Sequence, residues 1–164
     1  MIFFEVGHEM HIVDMLKIEY IIGDLESKNK REVLQEIPKV FLIDHSHMDI
    51  DRMTAILLDR ENLGSTGIGE GIALPHGKMP GLDETLISFG RSHDGISFDS
   101  LDGKPAHLFF LVMAPENSTG IHLKLLARLS KMLKDSEFRK RLLEARTKGE
   151  IFASIAQKDA ALQA

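Results

Sequence analysis

The chain of 164 residues contains no cysteine and no tryptophan, and it has only one tyrosine. Without cysteine there are no disulfides, no thiolate nucleophile and no thiolate ligands for zinc. The scarcity of tryptophan and tyrosine leaves few surfaces on which bases or sugars stack. Positive charge is also in deficit, since the formal net charge is −5. This balance disfavours binding to nucleic acids or to anionic membranes.

Long hydrophobic runs are missing as well. The run Ile2–Phe4 is cut short by Glu5 and follows no Lys or Arg, so it does not resemble a signal peptide. The longest run, Leu108–Ala114, falls far below the roughly 18–20 residues that span a bilayer. We therefore expect no membrane insertion and a cytoplasmic location. With 43% hydrophobic and 27% charged residues, the chain is expected to fold as one domain.

The first half of the chain predicts a strand and two helices. Residues 1–15 show no clear period, whereas Tyr20–Ile22 is typical of a short strand. Apolar residues at helical spacing follow between residues 29 and 45, and Pro38 predicts a kink or break there. A second helix is predicted to begin with a cap at Asp49 or Asp51 and to end near Arg60 and Glu61.

A glycine-rich segment, Gly64–Gly71, separates these helices from a region of predicted strands and is expected to form a loop. A strand that starts at Ile72 is closed by Pro75 and Gly77. Further strands are predicted at Leu86–Arg91, Ile96–Phe98 and His107–Met113.

The last third predicts helices, the first of them beginning near Ile121 or His122. Their expected buried faces are Leu123, Leu126, Ser130 and Leu133; then Phe138, Leu142 and Ala145; then Ile151, Phe152, Ile155 and Ala156. Strands with helices at both ends of the chain indicate an α/β fold, in which helices cover a sheet.

Most of the eight histidines do not form a convincing site. The pairs His8/His11 and His45/His47 have a spacing that can ligate a metal, but neither pair has a third ligand nearby, so no metal site is predicted. His93 precedes Asp94-Gly95 and His107 alternates with apolar strand residues, so both are predicted to be structural.

His76 differs in its setting, because it lies between Pro75 and Gly77, just after the glycine-rich segment. Backbone N–H groups in such a bend bind phosphate, and a neutral imidazole is a competent nucleophile near pH 7. The structural alternative is a histidine in a tight turn. The glycines match neither a dinucleotide fingerprint nor a Walker A loop, in which Ser or Thr would replace Met79, so no nucleotide cofactor is predicted.

Five segments resemble, in order and spacing, one bacterial family: Arg60-Glu61, Leu63–Gly69, Gly71–Lys78, Leu101–Pro105 and Ile121–Leu126. That family is the fructose/mannitol/nitrogen-regulatory type of enzyme IIA (EIIA) of the phosphoenolpyruvate-dependent phosphotransferase system. The resemblance implies a domain over residues 15–158, with an N-terminal extension at 1–14 and a C-terminal tail at 159–164. It also implies a mixed parallel and antiparallel sheet sandwiched between helices. Pro38 departs from the usually continuous first helix of the family.

The resemblance implies a phosphoryl relay without a cofactor. The phosphorylated histidine of the family, usually modified at Nε2, matches His76. Its second active-site histidine matches His122, and its active-site arginine matches Arg60. The implied donor is a histidine-phosphorylated carrier protein, and the implied acceptors are an enzyme IIB (EIIB) or regulatory target proteins.

Physical chemistry gives these residues roles, because without a metal the phosphate charge must be met by protein donors. A planar guanidinium at Arg60 binds two phosphate oxygens, and His122, expected at a helix N-terminus, donates one N–H. Without the resemblance, a solvated charge at Arg60 and a helix cap at His122 would be favoured. Three residues complete the predicted phosphate-binding set: Ser65, Thr66 and Gly77.

The sequence of the glycine-rich segment, Gly64–Gly71, resembles the nitrogen-regulatory branch most closely, so we expect a regulatory EIIA. The alternative is a sugar-specific EIIA that passes phosphate to EIIB for fructose or mannitol uptake. A binding module without transfer activity is disfavoured, because His76, His122 and Arg60 are all present.

Overall fold

A six-stranded mixed sheet organises the chain in the computed structural model, which describes residues 10–162. The strands are β1 (Leu16–Ile22), β2 (Gly67–Gly69), β3 (Ile72–Ala73), β4 (His76–Met79), β5 (Leu86–Ile96) and β6 (Ala106–Pro115). They lie in the order β1-β5-β6-β3-β2, and β4 also pairs with β6. The pairs β1–β5, β3–β6 and β4–β6 are parallel, and β5–β6 and β2–β3 are antiparallel. The predicted mixed sheet is confirmed.

The helices within the described residues are α1 (Lys30–Glu36), α2 (Ile50–Asn62), α3 (Thr119–Leu133), α4 (Ser136–Glu144) and α5 (Lys148–Ala161). They pack against the sheet and against each other, α2 on β4 and α5 on β1. Short 3-10 helices cover Ile12–Asp14 and Ile37–Ile43. None of the helices in residues 10–162 has the length and apolar content that crossing a bilayer requires.

The first two helices confirm their sequence signals. The Asn29 side chain caps α1 by accepting the Glu32 N–H, and α1 gives way to a 3-10 helix just before Pro38. Asp49, rather than Asp51, caps α2 by accepting the Arg52 N–H. Pro38 ends the α-helix because it has no N–H to donate to the preceding turn.

The strand predictions needed three corrections. Leu86–Arg91 and Ile96–Phe98 are not separate strands, because one strand, β5, extends to Ile96, with a shift in its register on β6 between Arg91 and Ile96. The predicted loop Gly64–Gly71 contains the short strand β2. His76 follows the end of β3, as expected, but it also begins a further strand, β4, that was not predicted. In each case pairing with a neighbouring strand, which no local pattern reveals, decides the outcome.

The buried face of α3 also differs from the prediction. The helix begins at Thr119, and its buried residues are His122, Leu125, Leu129, Met132 and Leu133. Leu123, predicted to be buried, is 61% exposed. Because Leu and Met recur at several spacings in this helix, the sequence supports more than one apolar face, and only packing against β6 and α4 selects between them.

Buried residues also lie just outside the expected domain, residues 15–158. Ile12, in the predicted extension, and Asp159, in the predicted tail, are both fully buried. The Asp159 carboxylate accepts hydrogen bonds from the Val13 N–H (3.2 Å) and from Arg128 Nε (2.7 Å), and so joins the 3-10 turn to α3 and α5. Of the predicted extension and tail, residues 1–9 and 163–164 lie outside the described residues.

Candidate functional site

His76 has a tautomer fixed by its own backbone. Its Nδ1 lies 2.8 Å from the Leu74 carbonyl oxygen, which can only accept, so Nδ1 carries the proton and Nε2 keeps its lone pair. The bend at Leu74-Pro75 separates β3 from β4, which lie end to end along β6. Half-burial lowers the pKa of His76, although the hydrogen bond to Leu74 opposes this. The imidazole is therefore neutral near pH 7.

His122 faces His76 from the first turn of α3. The ring centroids are 5.2 Å apart, and His122 is only 5% exposed. Burial, helped by His76 and Lys78, lowers the pKa of His122 to about 4. Its Nδ1 is buried and has no hydrogen-bond partner among the described residues. A buried ring nitrogen without a partner is costly, so this atom favours a polar ligand beside it.

Arg60 reaches the same place from the end of α2. Its Nη1 donates to the Gly64 carbonyl (2.9 Å), which holds the guanidinium at the point where the helix gives way to the glycine-rich segment. The positive charge of Arg60 contributes to the lowered pKa of His76. A guanidinium in this position attracts an anion that approaches His76.

A cavity of about 530 Å³ brings these groups together. Its lining residues come from α2 and the residue after it, from β4 and from α3: Ile56, Asp59, Arg60, Leu63, His76, Gly77, Lys78 and His122. Gly77 is required by close packing, because a Cβ there would lie 2.8 Å from Ile56 Cγ2. Four residues predicted from the sequence to form the site therefore line one cavity: Arg60, His76, Gly77 and His122.

Ser65 and Thr66, also nominated, do not line this cavity. The Ser65 hydroxyl donates to the Phe98 carbonyl (2.7 Å) and accepts the Gly67 N–H (3.0 Å). The Thr66 hydroxyl donates to the carboxylate of Glu61, and Thr66 is buried. Both hydroxyls are therefore hydrogen-bonded to neighbouring residues, and the phosphate-binding role of Ser65 and Thr66 stays a prediction.

Lys78 also lines the cavity, although no role in the site was predicted for it. It stands two residues after His76 in β4, so strand alternation puts both side chains on the same face of the sheet. Its ammonium donates to the hydroxyl of Thr119, the first residue of α3. Its position two residues after His76 is the feature of the sequence that could have predicted Lys78 as a site residue.

The remaining histidines lie elsewhere. His93 Nε2 is 3.0 Å from the Asp24 carboxylate, and His107 Nδ1 is 2.9 Å from the Ser92 carbonyl. His45 and His47 line a separate cavity of about 770 Å³. Among residues 10–162, no three His, Asp or Glu side chains converge as a metal site. His8 lies outside the described residues.

The family described as "Phosphoenolpyruvate-dependent sugar phosphotransferase system, EIIA 2" matches residues 14–158. The "Nitrogen regulatory protein" of Bradyrhizobium diazoefficiens is 36% identical over 147 residues, which cover 90% of this chain and 95% of that protein. The crystal structure of the nitrogen regulatory protein IIA-Ntr from Neisseria meningitidis matches with a TM-score of 0.82 and 33% identity, over 88% of this chain and 98% of that one.

A sugar-specific relative is also similar. The "PTS system fructose-specific EIIABC component" of Bacillus subtilis is 43% identical over 152 residues, which cover 92% of this chain. This chain spans only about a quarter of that relative, since the match covers 24% of it.

Proposed function

This chain belongs to the phosphoenolpyruvate-dependent sugar phosphotransferase system EIIA 2 family, and from that premise we propose that it carries phosphoryl groups on Nε2 of His76. The observation that carries the proposal is the hydrogen bond from Nδ1 to the Leu74 carbonyl. It leaves Nε2 as the nucleophilic nitrogen of a neutral ring, in a cavity that also holds Arg60 and His122. The donor is a histidine-phosphorylated carrier protein.

Transfer to His76 is a direct exchange between two imidazoles. The Nε2 lone pair forms the new nitrogen–phosphorus bond, while the phosphorus–nitrogen bond of the donor breaks and its electron pair returns to the donor imidazole. The Nδ1 proton of His76 stays on its nitrogen and keeps its hydrogen bond to Leu74. Such a reaction requires in-line positioning and compensation of charge on the phosphoryl oxygens.

Three side chains supply that compensation. Arg60 and Lys78 are cations that line the cavity, and His122 offers a neutral N–H donor. The first turn of α3 adds its positive dipole end. No side chain caps this turn, because the Ser118 hydroxyl donates to the Pro115 carbonyl instead.

The surroundings of the cavity fit a protein donor. Leu63 is 85% exposed at the cavity, and Ile121 and Leu123, which flank His122 in α3, are at least half exposed. Exposed apolar side chains around a polar site are typical of protein–protein contacts. We place the activity in the cytoplasm, where phosphoenolpyruvate is produced.

The proposal is tested with phosphoenolpyruvate, the general phosphocarrier proteins and this chain. We expect acid-labile phosphate on the wild type and none on His76→Gln. His107→Gln is the matched control, because His107 also binds a backbone carbonyl through Nδ1 but lies outside the cavity. Acceptance by His76→Gln, or its loss in both variants, would contradict the assignment to His76.

We propose the nitrogen-regulatory branch as the physiological role. The support is the similarity to the Bradyrhizobium nitrogen regulatory protein and to IIA-Ntr over nearly their whole lengths. The 43% identity to the EIIABC relative makes a sugar-specific EIIA the second candidate. Phosphorylated protein mixed with a fructose or mannitol EIIB separates the two. Retention of phosphate supports regulation, and rapid discharge assigns the chain to sugar uptake.

A further inference from the structure

Glu61 is a buried carboxylate next to Arg60 that the proposed transfer step does not use. Its side chain is only 3% exposed at the end of α2. One carboxylate oxygen accepts the Thr66 backbone N–H (3.0 Å), and the other accepts the Thr66 hydroxyl. Burying a charge is costly unless partners satisfy it, so these contacts hold the start of the glycine-rich segment in one place.

Lys30 supplies the compensating charge. Its Nζ lies 2.9 Å from Glu61 Oε1 and 4.6 Å from the centroid of the Phe98 ring. The Phe98 carbonyl in turn accepts the Ser65 hydroxyl. The carboxylate therefore stands where α1, α2, the glycine-rich segment and the residues after β5 meet.

Hydrogen bonds lead from this carboxylate to the imidazole of His76. Glu61 accepts the Thr66 N–H, and the Thr66 carbonyl accepts the Leu74 N–H (3.0 Å). The Leu74 carbonyl accepts Nδ1–H of His76 (2.8 Å). A displacement of Thr66 is therefore passed to the carbonyl that fixes the tautomer of His76.

We propose that Glu61 is a positioning residue for phosphoryl acceptance: its buried carboxylate, paired with Lys30, fixes Thr66 and thereby the Leu74 carbonyl that orients the His76 ring. The inference rests on the proposed function, because it assumes that His76 is the acceptor. Under this proposal, Ser65 and Thr66 of the glycine-rich segment align the His76 nucleophile and do not contact phosphate.

Glu61 also acts on His76 through its charge. The charged and titratable groups that line the cavity with His76 are Asp59 and Arg60 from α2, Lys78 from β4 and His122 from α3, and the buried charge of Glu61 acts on His76 from behind them. Burial and Arg60 lower the pKa of His76, whereas Glu61 raises it. Replacing Glu61 by a neutral isostere lowers the pKa of His76 further, an effect that a loss of stability alone would not produce.

The test compares Glu61→Gln with Glu36→Gln in the full chain. Glu36 is the matched control, since its carboxylate likewise accepts backbone N–H groups, those of Glu26 and Ser27, and the Ser27 hydroxyl. It lies outside the cavity that holds His76. For each variant we would measure single-turnover phosphoryl acceptance, the free energy of unfolding, and the tautomer and titration midpoint of His76 by ¹⁵N NMR.

We expect Glu61→Gln to accept phosphate at least about tenfold more slowly, the equivalent of about 1.4 kcal/mol, and to titrate His76 at lower pH. We expect Glu36→Gln to lose stability but keep the wild-type rate and titration. A wild-type rate and titration in Glu61→Gln, or equal slowing in both variants, overturns the proposal. The double variant Glu61→Gln/Lys30→Met, which leaves no unpaired buried charge, replaces the single one if that does not fold.

The two proposals fail in different ways. If the wild type itself accepts no phosphate, the proposed function is wrong, and the NMR measurement still decides the role of Glu61. A loss of the Nδ1–H tautomer of His76 in Glu61→Gln but not in Glu36→Gln then supports the positioning role. An unchanged tautomer overturns it.

Discussion

The imidazoles of His76 and His122 face each other with ring centroids 5.2 Å apart and ring planes inclined by 56°. One ring comes from the first residue of β4 and the other from the first turn of α3. Burial lowers both pKa values, and that of His122 falls to about 4. Two neutral rings therefore meet at the place where Arg60 and Lys78 bring positive charge.

Arg60→Lys is expected to slow phosphoryl acceptance by His76. An ammonium cannot reproduce the planar fork of a guanidinium or its simultaneous contact with the Gly64 carbonyl. Loss of one charge-assisted hydrogen bond, worth about 1.5–3 kcal/mol, corresponds to roughly 10- to 100-fold in rate. Single-turnover kinetics measure the effect, with Arg52→Lys on the exposed side of α2 as the control. A wild-type rate in Arg60→Lys would remove Arg60 from the mechanism.

His122→Gln is expected to reduce the acid sensitivity of the fold. The folded pKa of His122 is about 4, below the value of about 6.5 for an unfolded histidine. Between these values the unfolded chain binds the extra proton, so stability falls as the pH falls, by up to about 1.4 kcal/mol per pH unit. Urea unfolding from pH 7 to pH 4 measures the slope.

The expected difference is confined to that pH range. Above pH 7 the difference in unfolding free energy between wild type and His122→Gln should be constant, because His122 is neutral in both states. Asp44, Asp102 and Asp135 have lowered pKa values, and their contributions are lost only below about pH 4. Parallel slopes for the two proteins between pH 6.5 and pH 4 would show that His122 is not neutral when buried.

Lys78→Met is expected to slow phosphoryl acceptance by roughly tenfold, because one of the cations of the cavity is lost. The same change should raise the pKa of His122, since the charge of Lys78 contributes to its lowering. Kinetics and the NMR titration of His122 are measured together. Lys104→Met, at an exposed turn, is the control. If the rate falls while the His122 titration stays fixed, the proposed electrostatic role is incorrect.

Gly77→Ala is expected to destabilise the fold by about 1–3 kcal/mol, the usual cost of overpacking. The new Cβ would lie 2.8 Å from Ile56 Cγ2, so either α2 or β4 must shift. Ile56→Ala removes the clashing atom, and a double-mutant cycle by urea unfolding measures the coupling. Purely additive effects would mean that Gly77 is not required by contact with α2.

The sequence predicted those helix ends and strands that depend on residues close to one another in the chain. A side-chain oxygen of Asp49 caps α2, and Pro38 ends α1 because it lacks an N–H. The apolar run of β6 is buried as expected. The continuity of β5 and the buried face of α3 were not predicted, because pairing and packing with distant segments select among several locally acceptable patterns.

For the site, the sequence alone determined the nucleophile's immediate surroundings. The bend at Pro75 and the carbonyl of Leu74 lie within two residues of His76, so the hydrogen-bond partner of Nδ1 is local in the sequence. The arrival of Arg60 and His122 at the same cavity was decided only by the tertiary structure, because the end of α2, the start of β4 and the start of α3 meet through the sheet. The tertiary structure also decided that Thr66 donates its N–H and its hydroxyl to Glu61, because a buried carboxylate must be satisfied by the donors that lie near it in space.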